Sequence, residues 1–315
     1  MQILVLGAGA IGSVFAGLLC RAGHRVTIVA RPAHVDAIKR QGLVIDGIWG
    51  THRVAGLRCV ARLAELSQTE TGAYDYVLLC VKSHATEGLV KELLQYCPDP
   101  PPVVSLQNGL GNLEVIEKHI GRDRVIGGRV IFGVEFIEPA RVTVTVCADK
   151  TIIGGLRSGI ASESVRKLAR AFTEAGLEAE ATNDIHRFIW GKVLYNCCLN
   201  GLATLLRVTY GKLLLSSGTR EIMRLIIEEF FLVCQACRIE LDWQSVDEYR
   251  QVLFDKLIPM TSEHHPSMLQ DIMKGKQTEI DSLNGALVDI AAEHGLYLPL
   301  NQTITHLIKA KEGQI

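Results

Sequence analysis

Hydrophobic and polar positions follow two different patterns along the chain, and the change comes near residue 182. Before it, short apolar runs such as ILVL (3–6), VLLC (77–80) and VVSL (103–106) alternate with amphipathic segments such as ESVRKLARAFTEAG. Short apolar runs between helical segments are typical of strands that are buried on both faces of a parallel sheet. This part of the pattern predicts an α/β fold with a doubly wound, mostly parallel sheet.

After residue 182 the strand pattern stops, and apolar positions recur at helical spacing. The segments predicted to be helices are DIHRFIWGKVLYNCCLNGLATLL, TREIMRLIIEEFFLVCQACR, VDEYRQVLFDKLI, EIDSLNGALVDIAAEHG and ITHLIKAKEG. We therefore expect a first domain over residues 1–182 and an all-helical second domain over residues 183–315. The apolar segment IIEEFFLVC has two open interpretations, packing inside the second domain or packing against another subunit, so a homodimer is a further expectation.

The first apolar run leads directly into glycines with the spacing G-x-G-x-x-G. Gly7, Gly9 and Gly12 stand between ILVL and the helical segment SVFAGLLCRAG, and HRVTIVAR follows as a second strand. In this order the motif is the fingerprint of a Rossmann-type dinucleotide site, where a helix N-terminus holds the phosphates. A glycine-rich turn without a ligand is the alternative, but it does not need small residues at all three places. The residues expected to contact the cofactor are Gly7, Ala8, Gly9, Ala10, Ile11 and Gly12.

The N-terminal run fits neither an export signal nor a membrane anchor. Only Met1 and Gln2 precede it, so the basic start of a signal is missing, and its glycines disfavour a spanning helix. The net charge of -1 gives no overall field that would attract nucleic acid or an anionic membrane. We therefore expect a cytoplasmic protein that binds a small molecule and has neither nucleic acid nor membrane as a partner.

The nine cysteines are odd in number, scattered and mostly set among apolar residues, as in reduced cytosolic proteins. Cys234 and Cys237 form a C-x-x-C, but no second pair with metal-ligand spacing accompanies them. Two core cysteines are the favoured interpretation, and no metal site is expected.

Arg31, at the end of the second predicted strand, bears on which nucleotide is bound. NAD sites usually carry an acidic residue here for the ribose hydroxyls, whereas the planar fork of an arginine suits a 2′-phosphate. We therefore expect NADPH/NADP, with a surface arginine that serves solubility as the alternative. Ligands lie beyond the carboxyl ends of such strands, so Lys82 and Asn108, at the exits of two further strands, are predicted at the same edge.

One predicted helix of the second domain, FIWGKVLYNCCLNG, has a narrow polar strip. Lys192, Asn196 and Asn200 are spaced i, i+4 and i+8 and share one helical face, while most other positions are apolar. A buried lysine and two buried amides are costly without partners, so we interpret the strip as a site. The alternative, an exposed face of an ordinary amphipathic helix, would carry more glutamates and lysines.

A second polar group lies in HPSMLQDIMKGKQTEIDSLNG. Ser267 is predicted to cap a short helix, and Glu279 is predicted near the start of the next one. Composition leaves two roles for Glu279 equally open. It either complements a helix N-terminus electrostatically or takes part in catalysis.

Taken together, these motifs resemble the ketopantoate reductases (2-dehydropantoate 2-reductases) along nearly the whole chain. The matching features are GAGAIG, the strand end at Arg31, VKSHAT, QNGLGN, GKVLYNCCLN, SMLQD and KQTEIDSLNG. The resemblance implies NADPH-dependent reduction of 2-dehydropantoate to pantoate, a step toward pantothenate and coenzyme A. The chain departs from the family at Gly201, where proline is frequent, and at Ala140 in the turn EPAR, where glycine is common.

The resemblance also implies roles for single residues. Lys192 matches the family's catalytic lysine, here the general acid, and Glu279 matches its partner glutamate. The other matches are substrate-contacting positions at Asn196, Asn200, Ser267 and Asn108, and cofactor-contacting positions at Lys82 and Asn108. Two alternatives remain open. One is a related NADP-dependent dehydrogenase for another 2-oxo acid or an opine-like substrate, and the other is a non-catalytic NADP(H) sensor, which would lack the lysine or the glutamate.

Overall fold

The structure, a computed structural model, describes residues 1–157 and 162–314. The chain forms two compact units, Met1–Gln107 with Asn112–Ile185, and Asn108–Gly111 with the residues from His186 onward. Each unit has its own hydrophobic core. The chain therefore enters the second unit for four residues, 108–111, and then returns to the first.

Strands and helices alternate in the first unit. Its strands are β1 (Gln2–Leu6), β2 (Arg25–Val29), β3 (Leu43–Gly47), β4 (His52–Val54), β5 (Arg58–Val60), β6 (Tyr76–Leu79), β7 (Val103–Ser105), β8 (Val125–Arg129), β9 (Phe132–Glu138), β10 (Arg141–Cys147), β11 (Thr151–Gly155) and β12 (Ala179–Ala181). Its helices are α1 (Ala10–Arg21), α2 (Pro32–Gln41), α3 (Gln68–Thr71), α4 (Thr86–Tyr96), α5 (Asn112–Ile120) and α6 (Glu163–Glu174).

The larger sheet of the described residues has the strand order β12-β11-β8-β7-β6-β1-β2-β5. From β8 to β5 all neighbours run parallel, whereas β11 is antiparallel to β8 and parallel to β12. The parallel strands follow the spatial order 3-2-1-4-5-6 of a Rossmann fold. Ile3, Leu4, Val5 and Leu6 of the central β1 are fully buried, as expected for a strand covered on both faces. The predicted Rossmann-type doubly wound sheet is confirmed, with two reversed strands at one edge.

A second sheet has the order β4-β3-β10-β9. The segment 124–145 is divided between the two sheets, because β8 joins the larger one while β9 and β10 form a hairpin in the smaller one. The turn of that hairpin lies at EPAR, and Ala140 adopts a left-handed conformation with φ 66°. The smaller sheet packs against α1, where the ring centroids of Phe15 and Phe132 lie 5.8 Å apart.

The second unit is helical, as predicted. Its helices are α7 (Ile185–Leu206, whose first residue belongs to the first unit), α8 (Ser217–Cys237), α9 (Val246–Val252), α10 (Ile258–Met260), α11 (Ser267–Met273), α12 (Asn284–Glu293) and α13 (Pro299–Glu312). The main apolar face of α8, with Ile226, Phe230 and Val233, is buried in the core of this unit. Within residues 1–157 and 162–314, every helix is too short or too polar to cross a membrane.

A buried polar network holds several of these helices together. The carboxylate of Glu229 on α8 accepts hydrogen bonds from the backbone N–H groups of Leu300 and Asn301, at 2.8 and 2.9 Å, and thereby caps α13. Asn301 Oδ1 accepts from Asn284 Nδ2 at 2.8 Å, and Asn284 also donates to the carbonyl of Cys197 on α7. Because buried polar groups are costly unless paired, this network fixes α7 relative to the start of α12.

Candidate active site

The glycine loop follows β1 at the carboxyl edge of the larger sheet. Gly7 has φ 101°, and a Cβ atom at Gly12 would lie 1.9 Å from the carbonyl oxygen of Gly7, so the fold itself requires both glycines. Gly9 differs, because its φ is −70° and a Cβ atom there would meet nothing within 4 Å. Packing within the described residues therefore gives no reason for a glycine at this place, whereas a ligand that approaches the backbone closely does.

The N-terminus of α1 is suited to an anion. No side chain among the described residues caps it, and its first turn contains no acidic residue. The unpaired N–H groups and the positive end of the helix dipole are then directed at the loop from Gly7 to Gly12. Together with the open space at Gly9, these features fit a dinucleotide pyrophosphate.

Arg31 and Lys82 lie at the exits of the two strands that flank β1. The strands β2 and β6 pair with β1 on either side, and all three run parallel. Arg31 stands two residues after β2 and is exposed, and its side chain makes no hydrogen bond or ion pair within the described part of the chain. Lys82 stands three residues after β6 and is half-buried. The structure thus brings these two predicted residues and the glycine loop to one edge.

A hydrogen-bonded network that the sequence did not predict holds the loop around Lys82. Gln107 Nε2 donates to Thr86 Oγ1 at 2.7 Å, and Thr86 donates to Asn112 Oδ1 at 3.0 Å. Asn112 Nδ2 in turn donates to Ser83 Oγ at 3.1 Å. The only sign in the sequence is the concentration of polar residues in VKSHAT and QNGLGN, directly after two buried strands.

In the second unit, Asn108 bridges Lys192 and Glu279. Lys192 Nζ donates to Asn108 Oδ1 at 2.5 Å, and Asn108 Nδ2 donates to Glu279 Oε2 at 3.1 Å. All three residues are half-buried. Because the amide has one accepting and one donating end, the cation faces its oxygen and the carboxylate faces its nitrogen. Lys192 lies on α7, and Glu279 directly precedes a 3₁₀ turn at Ile280–Ser282.

The segment 108–111 is held against that 3₁₀ turn. The backbone N–H of Leu110 donates to the carbonyl of Ser282 at 2.8 Å. Gly109 has φ 87°, and a Cβ atom there would lie 2.3 Å from the same carbonyl oxygen. The close approach of the two backbones therefore requires glycine and places Asn108 between Lys192 and Glu279.

The two asparagines of the polar strip have different surroundings. Asn196 is half-buried, and its side chain makes no hydrogen bond within residues 1–157 and 162–314. Asn200 is buried, its Nδ2 lies 3.5 Å from Ser267 Oγ, and its Oδ1 accepts from the N–H of Met268 at 3.4 Å. The amide of Asn200 is thus used at the start of α11, whereas that of Asn196 has no hydrogen-bond partner among the described residues.

The prediction that Ser267 caps α11 is wrong. Pro266 occupies the cap position, and the Ser267 side chain makes no capping hydrogen bond, because Ser267 is already the first residue of the helix. Proline is preset for extended backbone before a helix, with φ −60° here. The hydroxyl of Ser267 instead pairs with Asn200, and the residue is exposed.

Family models cover most of the chain. The model described as ketopantoate reductase PanE/ApbA matches residues 3–158, and its C-terminal counterpart matches residues 184–312. The chain belongs to the ketopantoate reductase family. Ketopantoate reductases are oxidoreductases that use NADPH, so the expected enzyme class and cofactor agree with the family.

Relatives of this ketopantoate reductase family member span its full length. The chain is 38% identical to the 2-dehydropantoate 2-reductase of Aquifex aeolicus (strain VF5) over 312 residues, which are 99% of this chain and 97% of the relative. A crystal structure of a PanE/ApbA family ketopantoate reductase from Ralstonia eutropha JMP134 is similar with 27% identity and a TM-score of 0.87, covering 100% and 99% of the two chains. D-mandelate dehydrogenase with NADH and anilino(oxo)acetate is similar with 29% identity and a TM-score of 0.88 at the same coverage.

The cysteines of this ketopantoate reductase family member are free thiols. Cys234 is buried, and burial raises the pKa of its thiol to about 12, so it stays protonated and unreactive at neutral pH. Its C-x-x-C neighbour Cys237 is half-buried. The described residues contain no group of three His, Cys, Asp or Glu side chains able to hold a metal ion.

Proposed function

We propose that this protein reduces 2-dehydropantoate to pantoate with NADPH, and that Lys192 is the general acid. The observation that supports the proposal is the hydrogen-bonded row Lys192–Asn108–Glu279 in a member of the ketopantoate reductase family. A cytoplasmic location and a homodimer stay predictions.

The residues match the needs of ketone reduction. When bound, NADPH supplies the hydride. The Lys192 ammonium donates a hydrogen bond to the carbonyl oxygen of the substrate, stabilises the negative charge that develops there, and then transfers a proton to it. Glu279 acts through Asn108. Its carboxylate holds Nδ2, so that Oδ1 stays directed at Lys192 and keeps the ammonium in place.

Neutral donors suit the other polar groups of a hydroxylated 2-oxo acid. We assign substrate contact to Asn196, whose amide makes no bond within the described protein, to the exposed Ser267 and to Asn108. Asn200 holds Ser267 at the start of α11, so its contribution to substrate binding is to place that hydroxyl.

Replacing Asn196 with alanine is expected to raise the KM for 2-dehydropantoate by about 10-fold or more, because a hydrogen bond to a charged group is worth roughly 1.5–3 kcal/mol. Thermal unfolding should be nearly unchanged, since the side chain bonds to no described protein group. The matched control is Asn200→Ala, which should lower the melting temperature, because it removes buried hydrogen bonds. A lower melting temperature for Asn196→Ala with an unchanged KM would contradict the assignment.

Replacing Arg31 with alanine is expected to reduce the preference for NADPH over NADH by about 10- to 100-fold, because a guanidinium forms charge-assisted hydrogen bonds with a 2′-phosphate. The measurement is the ratio of kcat/KM with each cofactor. Arg40→Ala is the control, since Arg40 is exposed at the other end of the same helix. A ratio that stays at the parent value in Arg31→Ala would remove Arg31 from the cofactor site.

The test of the proposed reaction is NADPH consumption by purified protein with 2-dehydropantoate beside a panel of other 2-oxo acids. A strong preference for 2-dehydropantoate supports the proposal. Turnover on another 2-oxo acid, without turnover on 2-dehydropantoate, would instead support a related NADP-dependent dehydrogenase with a different substrate. Tight NADPH binding without turnover on any acid would support a sensor instead.

A second candidate function is the reduction of an aromatic 2-oxo acid. It is favoured by the similarity to D-mandelate dehydrogenase with NADH and anilino(oxo)acetate, which covers the full chain. Lys192 would keep its role, because the chemistry at the carbonyl is the same. The panel should therefore contain a phenyl-substituted 2-oxo acid, tested with both NADPH and NADH.

A further inference from the structure

His34 connects parts of the first unit that lie on different elements. It stands in the first turn of α2 and is only 4% exposed. Its Nδ1 accepts a hydrogen bond from the N–H of Ala140 at 3.0 Å, and its Nε2 lies 3.2 Å from Ser13 Oγ. The ring also packs on Phe136, with centroids 5.2 Å apart. A buried imidazole with both nitrogens paired is held in one orientation.

The direction of the hydrogen bonds follows from the contact with Ala140. A backbone N–H can only donate, so Nδ1 carries no proton and the neutral ring is protonated on Nε2. Nε2 then donates to Ser13 Oγ, which leaves the Ser13 proton directed at the carbonyl of Ala8, 3.5 Å away. Burial lowers the pKa of His34, which favours this neutral form.

Ala140 is itself held so that its N–H meets the imidazole. It is fully buried with φ 66°, and its carbonyl accepts from the N–H of Val44 at 2.8 Å. A left-handed alanine is strained and persists only where its surroundings fix it. The hairpin turn thus acts as a rigid anchor for one side of the ring.

On the other side of the His34 ring, Ser13 connects the imidazole to the glycine loop. Ser13 follows Gly12 in the first turn of α1, and Ala8 lies within the loop. On α2, the backbone N–H of His34 donates to the carbonyl of Arg31, the cap residue of that helix, at 2.9 Å. His34 therefore contacts Ser13, beside the candidate pyrophosphate loop, through its ring, and the residue proposed for the 2′-phosphate through its backbone.

We propose that His34 is a positioning residue for NADP(H), which fixes the glycine loop relative to Arg31 through Ser13 without touching the nucleotide. The inference rests on the NADPH part of the proposed function and is independent of the substrate. Losing the bond between His34 and Ser13 should weaken nucleotide binding. Without that bond the glycine loop and Arg31 are no longer fixed relative to each other, so NADPH binding has to supply the free energy that orders them.

Two substitutions of His34 separate the two bonds of the ring. The amide nitrogen of Gln lies where Nε2 does, so His34→Gln can keep the bond to Ser13. The amide oxygen of Asn lies where Nδ1 does, so His34→Asn can keep the bond to Ala140 and lose Ser13. The readout is the Kd of NADPH from a fluorescence titration, with NADH beside it and a thermal unfolding curve for each variant.

We expect His34→Asn and Ser13→Ala to raise the Kd of NADPH by about 5- to 10-fold, the usual effect of one lost hydrogen bond. The double variant should be no worse than either single one, because both remove the same bond. His34→Gln should stay within about 3-fold of the parent. NADH, which does not use Arg31, should lose less affinity than NADPH in His34→Asn.

The control for a merely structural effect is Thr71→Val, which removes another buried hydroxyl of the same unit, one that donates to the carbonyl of Tyr96 at 2.7 Å. It should lower the melting temperature and leave the Kd of NADPH unchanged. The inference is overturned if Ser13→Ala and His34→Asn also lower only the melting temperature. A parent protein that binds no NADPH at all would instead overturn the cofactor assignment, and this inference with it.

Discussion

Replacing Lys192 with alanine is expected to lower kcat for 2-dehydropantoate by about 10²- to 10⁴-fold, the range that positioned general acids contribute. The variant loses the proton donor and the positive charge at the carbonyl oxygen, both of which matter most in the transition state. The Kd of NADPH should remain close to the parent value, because the phosphate-binding loop and Arg31 belong to the first unit. The measurement is steady-state turnover together with a separate titration of NADPH.

Three further variants give this prediction its controls. Lys167→Ala removes an exposed lysine on α6 and should leave kcat unchanged. Lys192→Arg keeps the charge but is a far poorer proton donor, since an arginine pKa lies above about 12, so most of the loss should persist. Glu279→Gln should lower kcat less than Lys192→Ala, because it disturbs the orientation of Asn108 and leaves the acid in place. Turnover of Lys192→Ala near the parent level would remove Lys192 from catalysis.

The fold of the larger sheet could be predicted because its signals are local. An uninterrupted apolar run such as 3–6 has no polar face to expose, so it must become a strand covered on both sides. The smaller sheet was not predicted, because β3 and β10 lie about 100 residues apart along the chain and their pairing is set only by tertiary packing on α1.

In the candidate site, too, the features with local sequence signals could be predicted, and those set by tertiary contacts could not. Helical periodicity was enough to put Lys192, Asn196 and Asn200 on one face of α7. It could not show that the amide of Asn200 is used at α11 while that of Asn196 meets no described partner, because those contacts depend on residues about 70 positions away. The entry of residues 108–111 into the second unit was equally invisible, since QNGLGN follows a strand as any other loop does.

The positioning role proposed for His34 could not be predicted from the sequence for a further reason. Its two partners lie 21 and 106 residues away in the chain, and a lone histidine in an amphipathic helix carries no signal of its own. Residues that position other groups are the hardest to find from sequence, because their chemistry is expressed only through tertiary contacts.

Replacing Gly9 with alanine is expected to weaken NADPH binding by about 10- to 100-fold while leaving the fold intact, since forcing a methyl group into a close contact typically costs about 1–3 kcal/mol. The new methyl group would project into space that the described protein leaves open, where a pyrophosphate approaches the backbone. The effect on stability should stay within about 1 kcal/mol, because φ −70° suits alanine and the lower chain entropy of the unfolded state offsets a poorer helix cap.

The comparison with Gly12→Ala makes this prediction specific to the ligand. There the methyl group would clash with the carbonyl of Gly7, so the melting temperature should fall and any loss of binding would follow from the damaged fold. In Gly9→Ala the two quantities should separate, with a raised Kd of NADPH and an unchanged melting temperature. If Gly9→Ala binds NADPH as tightly as the parent, the pyrophosphate does not lie over Gly9. The glycine would then have no explanation in either the packing or the ligand, and the placement of the cofactor on the α1 N-terminus would have to be abandoned.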